Sequence, residues 1–95
     1  MMPTSAIDAV TTVRLVYLAR LREAFASSGE ELDLPAGVAD VASLLALLRA
    51  RGGPWQSELA PGRAVRVAVN HDLATLHTPL ACCDEVALFP PVTGG

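Results

Sequence analysis

One stretch of this chain repeats its apolar residues at helical spacing, and the stretches on either side of it alternate. Val41, Leu44, Leu45 and Leu48 fall at i, i+3, i+4 and i+7, so they line one stripe of a helix. Asp40 stands at the N-cap position, where its carboxylate satisfies early N–H groups and faces the positive end of the helix dipole. Arg49 and Arg51 fall in the last turn, and Gly52-Gly53-Pro54 is expected to stop the helix there. Leu47 widens the stripe. A single helix with so broad an apolar face must be laid against another layer, and the alternating segments are what the sequence offers.

Before the helix, Val13 to Leu18 puts Val13, Leu15 and Tyr17 on one face and Val16 and Leu18 on the other, the pattern of a central strand with two apolar faces. Ala19 to Ala26, with Leu21 and Phe25 four apart, reads as a loop or one to two turns of helix closed by Ser27-Ser28-Gly29. Glu30 to Leu34 alternates Leu32 and Leu34 against carboxylates and suits a second, more exposed strand paired with the first. After the helix, Trp55 and Leu59 fall in a connection, with Trp55 as an aromatic anchor, and Pro61-Gly62 is a turn. Ala64 to Val69 alternates Val65, Val67 and Val69 as a third strand. Asn70-His71-Asp72 is turn-like, Leu73 to Leu76 is a short strand, and His77 to Asp84 returns the chain. Glu85 to Phe89 is the last strand, with Val86 and Leu88 on one side. Strand, strand, helix, strand, short strand, strand is an α+β order. With first and last strands parallel at the centre, a right-handed crossover lays the helix over them. The expected fold is a β-grasp, ubiquitin-like mixed sheet with one main helix packed across it.

The 95 residues make one domain. Residues 1–12 lack periodicity and are expected to be a flexible extension, 13–89 the β-grasp domain, and 90–95 a mobile tail. With 52% apolar residues, a real core is readily buried. Net charge is −3, and the seven basic residues, all arginine, are scattered along the chain. No cationic face is expected, which excludes nucleic acid as the main partner. Met1 to Thr12 has neither a basic start nor a continuous apolar run, so neither a signal peptide nor a membrane span is expected and the location is cytoplasmic. Cys82 and Cys83 are adjacent and cannot join each other without severe strain, so they read as reduced thiols in a turn rather than a sulfur relay. No Cys/His spacing resembles a metal site. His71 and His77 sit near turns without a partner cysteine, serine or carboxylate cluster, and neither reads as catalytic.

The working part is expected at the end of the chain. Two glycines, Gly94 and Gly95, finish the sequence, and each carries a large ordering cost and no side chain to bury. Pro90 and Pro91 remove two donors, so the strand ending at Phe89 cannot continue its ladder. Six residues follow Phe89, enough to reach roughly 20 Å, and glycine lets the backbone pass a constriction too narrow for a Cβ. The tail Phe89, Pro90, Pro91, Val92, Thr93, Gly94 is read as partner-binding, and the α-carboxylate of Gly95 as the reactive group.

Four segments, Val16-Tyr17-Leu18-Ala19-Arg20-Leu21-Arg22-Glu23, Ala68-Val69-Asn70, Asp84-Glu85-Val86-Ala87-Leu88-Phe89-Pro90-Pro91 and Val92-Thr93-Gly94-Gly95, together resemble the small subunit of molybdopterin synthase, a ubiquitin-like sulfur carrier. The resemblance covers Val13 to Gly95 and departs at Cys83, where the family usually has glycine, so the left-handed backbone expected there is in question. It implies that Gly95 is adenylated by a separate ATP-dependent enzyme and becomes a thiocarboxylate. That group donates sulfur to cyclic pyranopterin monophosphate, forming the dithiolene. The implied partners are the adenylating enzyme and the large synthase subunit, in a heterotetramer. This chain then has no independent active site and no resident cofactor, ATP serving the activating enzyme. Two alternatives are a sulfur carrier for thiazole or another thiolation pathway, and a ubiquitin-like modifier conjugated through Gly95. Without lysine, the second could not build chains on itself through isopeptide bonds.

Overall fold

The computed structural model describes residues 11–91. In chain order they form β1 (Thr11–Tyr17), α1 (Arg20–Ala24), β2 (Gly29–Leu34), α2 (Val41–Arg49), α3 (Gly53–Glu58), β3 (Arg66–Val69), β4 (Asp72–Leu73) and β5 (Glu85–Phe89). One mixed sheet of five strands runs β2-β1-β5-β3-β4. β1 and β5 are the parallel central pair, with Arg14 opposite Glu85 and Tyr17 opposite Leu88. β2 flanks β1 and β3 flanks β5, both antiparallel.

Alternation decides which face is covered. Val13, Leu15, Tyr17, Val67, Val69, Val86 and Leu88 are all buried, and α2 lays Val41, Leu44, Leu45 and Leu48 against them. Leu44 and Leu48 are fully buried, each contributing about 1.5–3 kcal/mol of transfer free energy. The start of α2 is a reciprocal cap: Asp40 Oδ1 accepts from Ser43 N at 2.9 Å, and Asp40 N donates to Ser43 Oγ at 3.2 Å. The Ser43 hydroxyl, donating to the same Oδ1 at 2.6 Å, and then Ser43 N hold the Asp40 carboxyl below the usual aspartate range. No described helix is long and apolar enough to cross a membrane.

The structure revises several expectations. β1 begins at Thr11 rather than Val13, because β2 is long enough to pair Thr11 with Leu34 and Thr12 with Asp33. Gly52-Gly53-Pro54 does not simply end a helix; α2 stops at Arg49, and Pro54 opens α3, where a missing N–H costs nothing. Trp55 therefore sits on a helix rather than in a connection. Its ring stacks on Phe25 at 3.8 Å, while Tyr17 meets both edge-on at 5.1 and 5.3 Å. Two short helices thus accompany the main one. β4 has two residues in place of Leu73 to Leu76, joined to β3 by an Asn70-His71 turn with φ of 51° and 75°, the geometry of a tight hairpin whose turn residues both take positive φ.

Beside the aromatic group lies a partly buried polar one. Tyr17 Oη donates to Glu30 Oε2 at 2.6 Å, and Arg51 donates to both Glu30 oxygens at 2.8 and 3.0 Å. The Arg51 guanidinium also lies 4.5 Å from the Trp55 ring centre. The Arg51 bonds hold Glu30 below the usual glutamate range, and burial, reinforced by Glu30, pushes the Tyr17 phenol well above the usual tyrosine range.

Candidate functional site

β5 is flanked on both sides, so the chain leaves from the middle of the sheet rather than from an edge. The last ladder contacts are Leu18 N donating to Leu88 O at 3.1 Å and the pairing of Phe89 with Arg66. Pro90 then removes the next donor, and Pro90 and Pro91 lie beyond the strand, half-buried. Of the tail residues read from the sequence, the structure places Phe89, Pro90 and Pro91 at this exit. Val92, Thr93, Gly94 and Gly95 lie outside the described residues.

The position of β5 along the sheet is fixed at its other end. Asn70 Nδ2 donates to Asp84 Oδ1 at 2.9 Å, Asn70 Oδ1 accepts from Glu85 N at 3.0 Å, and Asn70 N donates to Glu85 O at 2.8 Å. Asp84 Oδ2 accepts from Ala81 N at 2.8 Å. The β3–β4 turn is thereby tied to the start of β5, and a slip of one residue would put Val86 and Leu88 on the wrong face. Cys83 takes the left-handed conformation, φ 76°, and its N donates to Thr12 O at 2.7 Å. The turn keeps its shape without glycine. Both cysteines are exposed, with sulfurs 3.5 Å apart. The hydrogen bond to Cys82 pushes the Cys83 thiol up. They sit at the end of β5 opposite the tail exit. His71 lies on the same remote end, 3.8 Å from Glu85 across the surface, and His77 is in an exposed turn. Among the described residues no group of three or more His, Cys, Asp or Glu side chains is placed to hold a metal ion.

The uncovered sheet face carries a feature that single-strand periodicity shows only in part. Val16 pairs with Ala87, Ala87 with Ala68, and Ala68 with Leu73. Paired residues share a face, so these four make an apolar row across four strands, about 15 Å long at the usual strand spacing. Phe89 stands on the same face two residues on from Ala87. Leu73 is 72% exposed and Leu18, just past β1, is 42% exposed. The small alanines keep the centre of the row flat. The apolar second face of Val16 and Leu18 is visible in the sequence; the row is not, because it depends on which strands pair. This arrangement offers a docking face with a chain leaving beside it.

A parallel central pair crossed by one main helix, with the last strand leaving mid-sheet, defines a β-grasp protein of the ubiquitin-like class. The chain belongs to the ThiS family, whose model matches residues 15–95. It is 34% identical over 85 residues to the molybdopterin synthase sulfur carrier subunit of Escherichia coli, covering 87% of this chain and 99% of that one. Among solved structures, the small archaeal modifier protein 1 of Haloferax volcanii is 28% identical with a TM-score of 0.70, covering 86% of this chain and 99% of that one. A complex of subunits 1 and 2 of the Helicobacter pylori molybdopterin-converting factor contains a chain 27% identical, with a TM-score of 0.59, covering 90% of this chain and all of that one, 100%.

Proposed function

We propose that this chain is the sulfur carrier subunit of a molybdopterin synthase. The observation that carries this reading is the identity to the E. coli subunit along almost its whole length, 99%, together with the exit of Phe89-Pro90-Pro91 from the centre of the sheet. In the proposed chemistry, a Gly95 carboxylate oxygen attacks the α-phosphorus of ATP on a separate adenylating enzyme, and pyrophosphate leaves. A sulfur nucleophile then attacks the acyl carbon, AMP leaves, and a thiocarboxylate remains. Its sulfur displaces an oxygen from a carbon of cyclic pyranopterin monophosphate on the large subunit, the C–O bond breaking and the oxygen leaving with its electron pair as the C–S bond forms. Water cleaves the acyl–sulfur bond and regenerates the carboxylate, and a second carrier supplies the second sulfur of the dithiolene.

The fold's part is to present the tail. The apolar row and Phe89 dock on the partner, and the six residues from Pro90 to Gly95 reach roughly 20 Å into it. The Helicobacter complex of subunits 1 and 2 supports a large-subunit partner. The test is intact mass after incubation with ATP, a sulfur source and the adenylating enzyme. The expected result is a gain equal to the replacement of one oxygen by sulfur, on the peptide ending at Gly95, followed by sulfur transfer to the pterin when the large subunit is added. A protein lacking Gly95 that still acquires and donates sulfur would overturn the reading.

A second reading is conjugation to other proteins through Gly95, favoured by the likeness to the Haloferax modifier. A ladder of conjugates in cells, lost with Gly95, would support it. Transfer of the sulfur to a thiazole synthase instead of the pterin would assign the same carrier chemistry to another pathway.

A further inference from the structure

The arginines that look scattered in the sequence are gathered by the topology. β1 and β5 run toward the tail exit while β2 and β3 start there, so that end of the molecule also holds α1 and the close of α2. Arg20 and Arg22 lie on α1, and Arg66 is paired with Phe89. Arg51 reaches Glu30 near the start of β2, Arg49 donates to Leu59 O, and Arg63 meets the same Glu58 that Arg20 does. Six of the seven arginines therefore lie at the end of the molecule where β5 leaves, against only Glu23, Glu30 and Glu58 among the described acidic residues. The opposite end carries Asp33, Asp40, Asp72, Asp84 and Glu85 against one arginine, Arg14, which is paired with Glu85 across the ladder and lies 3.7 Å from Glu31. A chain of net charge −3 thus has a basic end where its tail leaves and an acidic end away from it.

We propose that this basic end steers the chain onto its acceptor, the large synthase subunit, and that the acceptor carries an acidic collar around the mouth that receives the tail. The proposal rests on the sulfur-carrier reading and adds to it the electrostatic character of the partner. Arg22 and Arg66 are the cations that meet the collar. Both are exposed, and among the described residues neither lies within ion-pair distance of a carboxylate. Arg66 stands beside Phe89 at the root of the tail, between the apolar row and the exit. The six arginines come from α1, the close of α2 and just beyond it, the segment before β3, and β3 itself, and Arg22 and Arg66 stand on different elements, so they complement a charged surface rather than a single small anion. Charge arranged this way acts mainly on association rate and orientation. It brings the molecule in tail first, which matters for a chain whose reactive group is at one end.

The experiment is stopped-flow association of the full-length chain with the large subunit from the same organism at varied salt. At about 0.01 M salt, where the screening length is about 30 Å, the double variant Arg22→Glu/Arg66→Glu is expected to associate about tenfold more slowly than the parent. Its dissociation rate stays within about twofold, because rim charges act on encounter. At about 1 M salt, with a screening length of about 3 Å, the two proteins converge. Asp72→Arg, at the far end, leaves the association rate unchanged, and an unaltered urea midpoint confirms that the double variant is folded. A parent rate insensitive to salt, or a double variant as fast as the parent, overturns the steering while leaving the carrier reading in place. Parent protein that acquires sulfur yet fails to bind the large subunit at any salt removes both. Tight binding of a short DNA duplex by the same arginines, with no effect on large-subunit association, would overturn the acidic-collar assignment.

Discussion

Replacing Cys83 by glycine is expected to stabilise this protein. At φ 76° the Cβ of an L residue crowds the neighbouring carbonyl, at a cost of roughly 1–2 kcal/mol. The turn cannot relax to relieve it, because Cys83 N is bonded to Thr12 O at 2.7 Å and Asp84 N to Ala81 O at 3.2 Å. Asp84 Oδ2 closes the same turn on Ala81 N at 2.8 Å. The side chain is exposed, so its removal forfeits little burial. Glycine enlarges the unfolded ensemble at a cost of about 0.5–1 kcal/mol, which leaves a net gain of about 0.5–1 kcal/mol. For a domain of this size that corresponds to a rise in Tm of about 2–8 °C. Urea titration followed by the fluorescence of Trp55, the single tryptophan, gives the free energy directly. The slope should stay constant while the midpoint rises. Cys83→Ala separates the causes: it keeps the Cβ and is expected to stay within about 0.5 kcal/mol of the parent. If alanine stabilised as much as glycine, backbone strain would not be the reason, and the thiol contact with Cys82 would have to be.

Gly29→Ala should act in the opposite sense: a Cβ there would stand 2.3 Å from Leu15 O, forcing β1 and β2 apart and costing about 1–3 kcal/mol or more. A urea midpoint equal to the parent's would show that the β1–β2 edge yields freely. Tyr17 sets the alkaline limit. Its phenol is raised in the folded state, so its contribution is fully present below the unfolded value near about 10 and is lost as the pH climbs above that. Phenolate absorbance of the single tyrosine should therefore rise together with loss of the far-ultraviolet circular dichroism signal; ionisation near the ordinary value in a folded protein would refute this. Glu30 works at the acid limit with the other sign. Its folded value is depressed by Arg51, so the stabilisation is present above the ordinary glutamate range and lost as the pH falls through the depressed value. Arg51→Gln should shift acid unfolding to higher pH, and an unchanged acid midpoint would show that the pair contributes nothing.

The main elements were legible because each rests on a local cause. Leu44 and Leu48 repeat at helical spacing, Asp40 caps, and Val13, Leu15, Tyr17, Val86 and Leu88 alternate; no tertiary information is needed to read them. The sequence alone puts Trp55 in a connection, whereas it lies on α3, because Gly52-Gly53-Pro54 reads equally as the end of one helix and the start of another. Packing against Phe25 and Tyr17 decides between the two, and it joins residues far apart in sequence. The arginines show the same limit for charge. Arg20 and Arg66 share an end only because β1 and β3 run in opposite directions through one sheet, and no composition or spacing reports that.

That division follows from what each face of the sheet does. The inner face must be buried for the chain to fold at all, so its pattern is strong, periodic and readable. The outer face is under less demand: Ala68 and Ala87 are small and only half-buried, and Leu73 is largely exposed. Their joint apolar character is therefore the informative part, and it appears only when register aligns Val16, Ala87, Ala68 and Leu73 beside the root of the tail. Stability is settled on the covered side and by pairs such as Arg51 with Glu30, whereas the row, Arg22 and Arg66 lie outside the buried core, which is where recognition of a partner can act without competing with it.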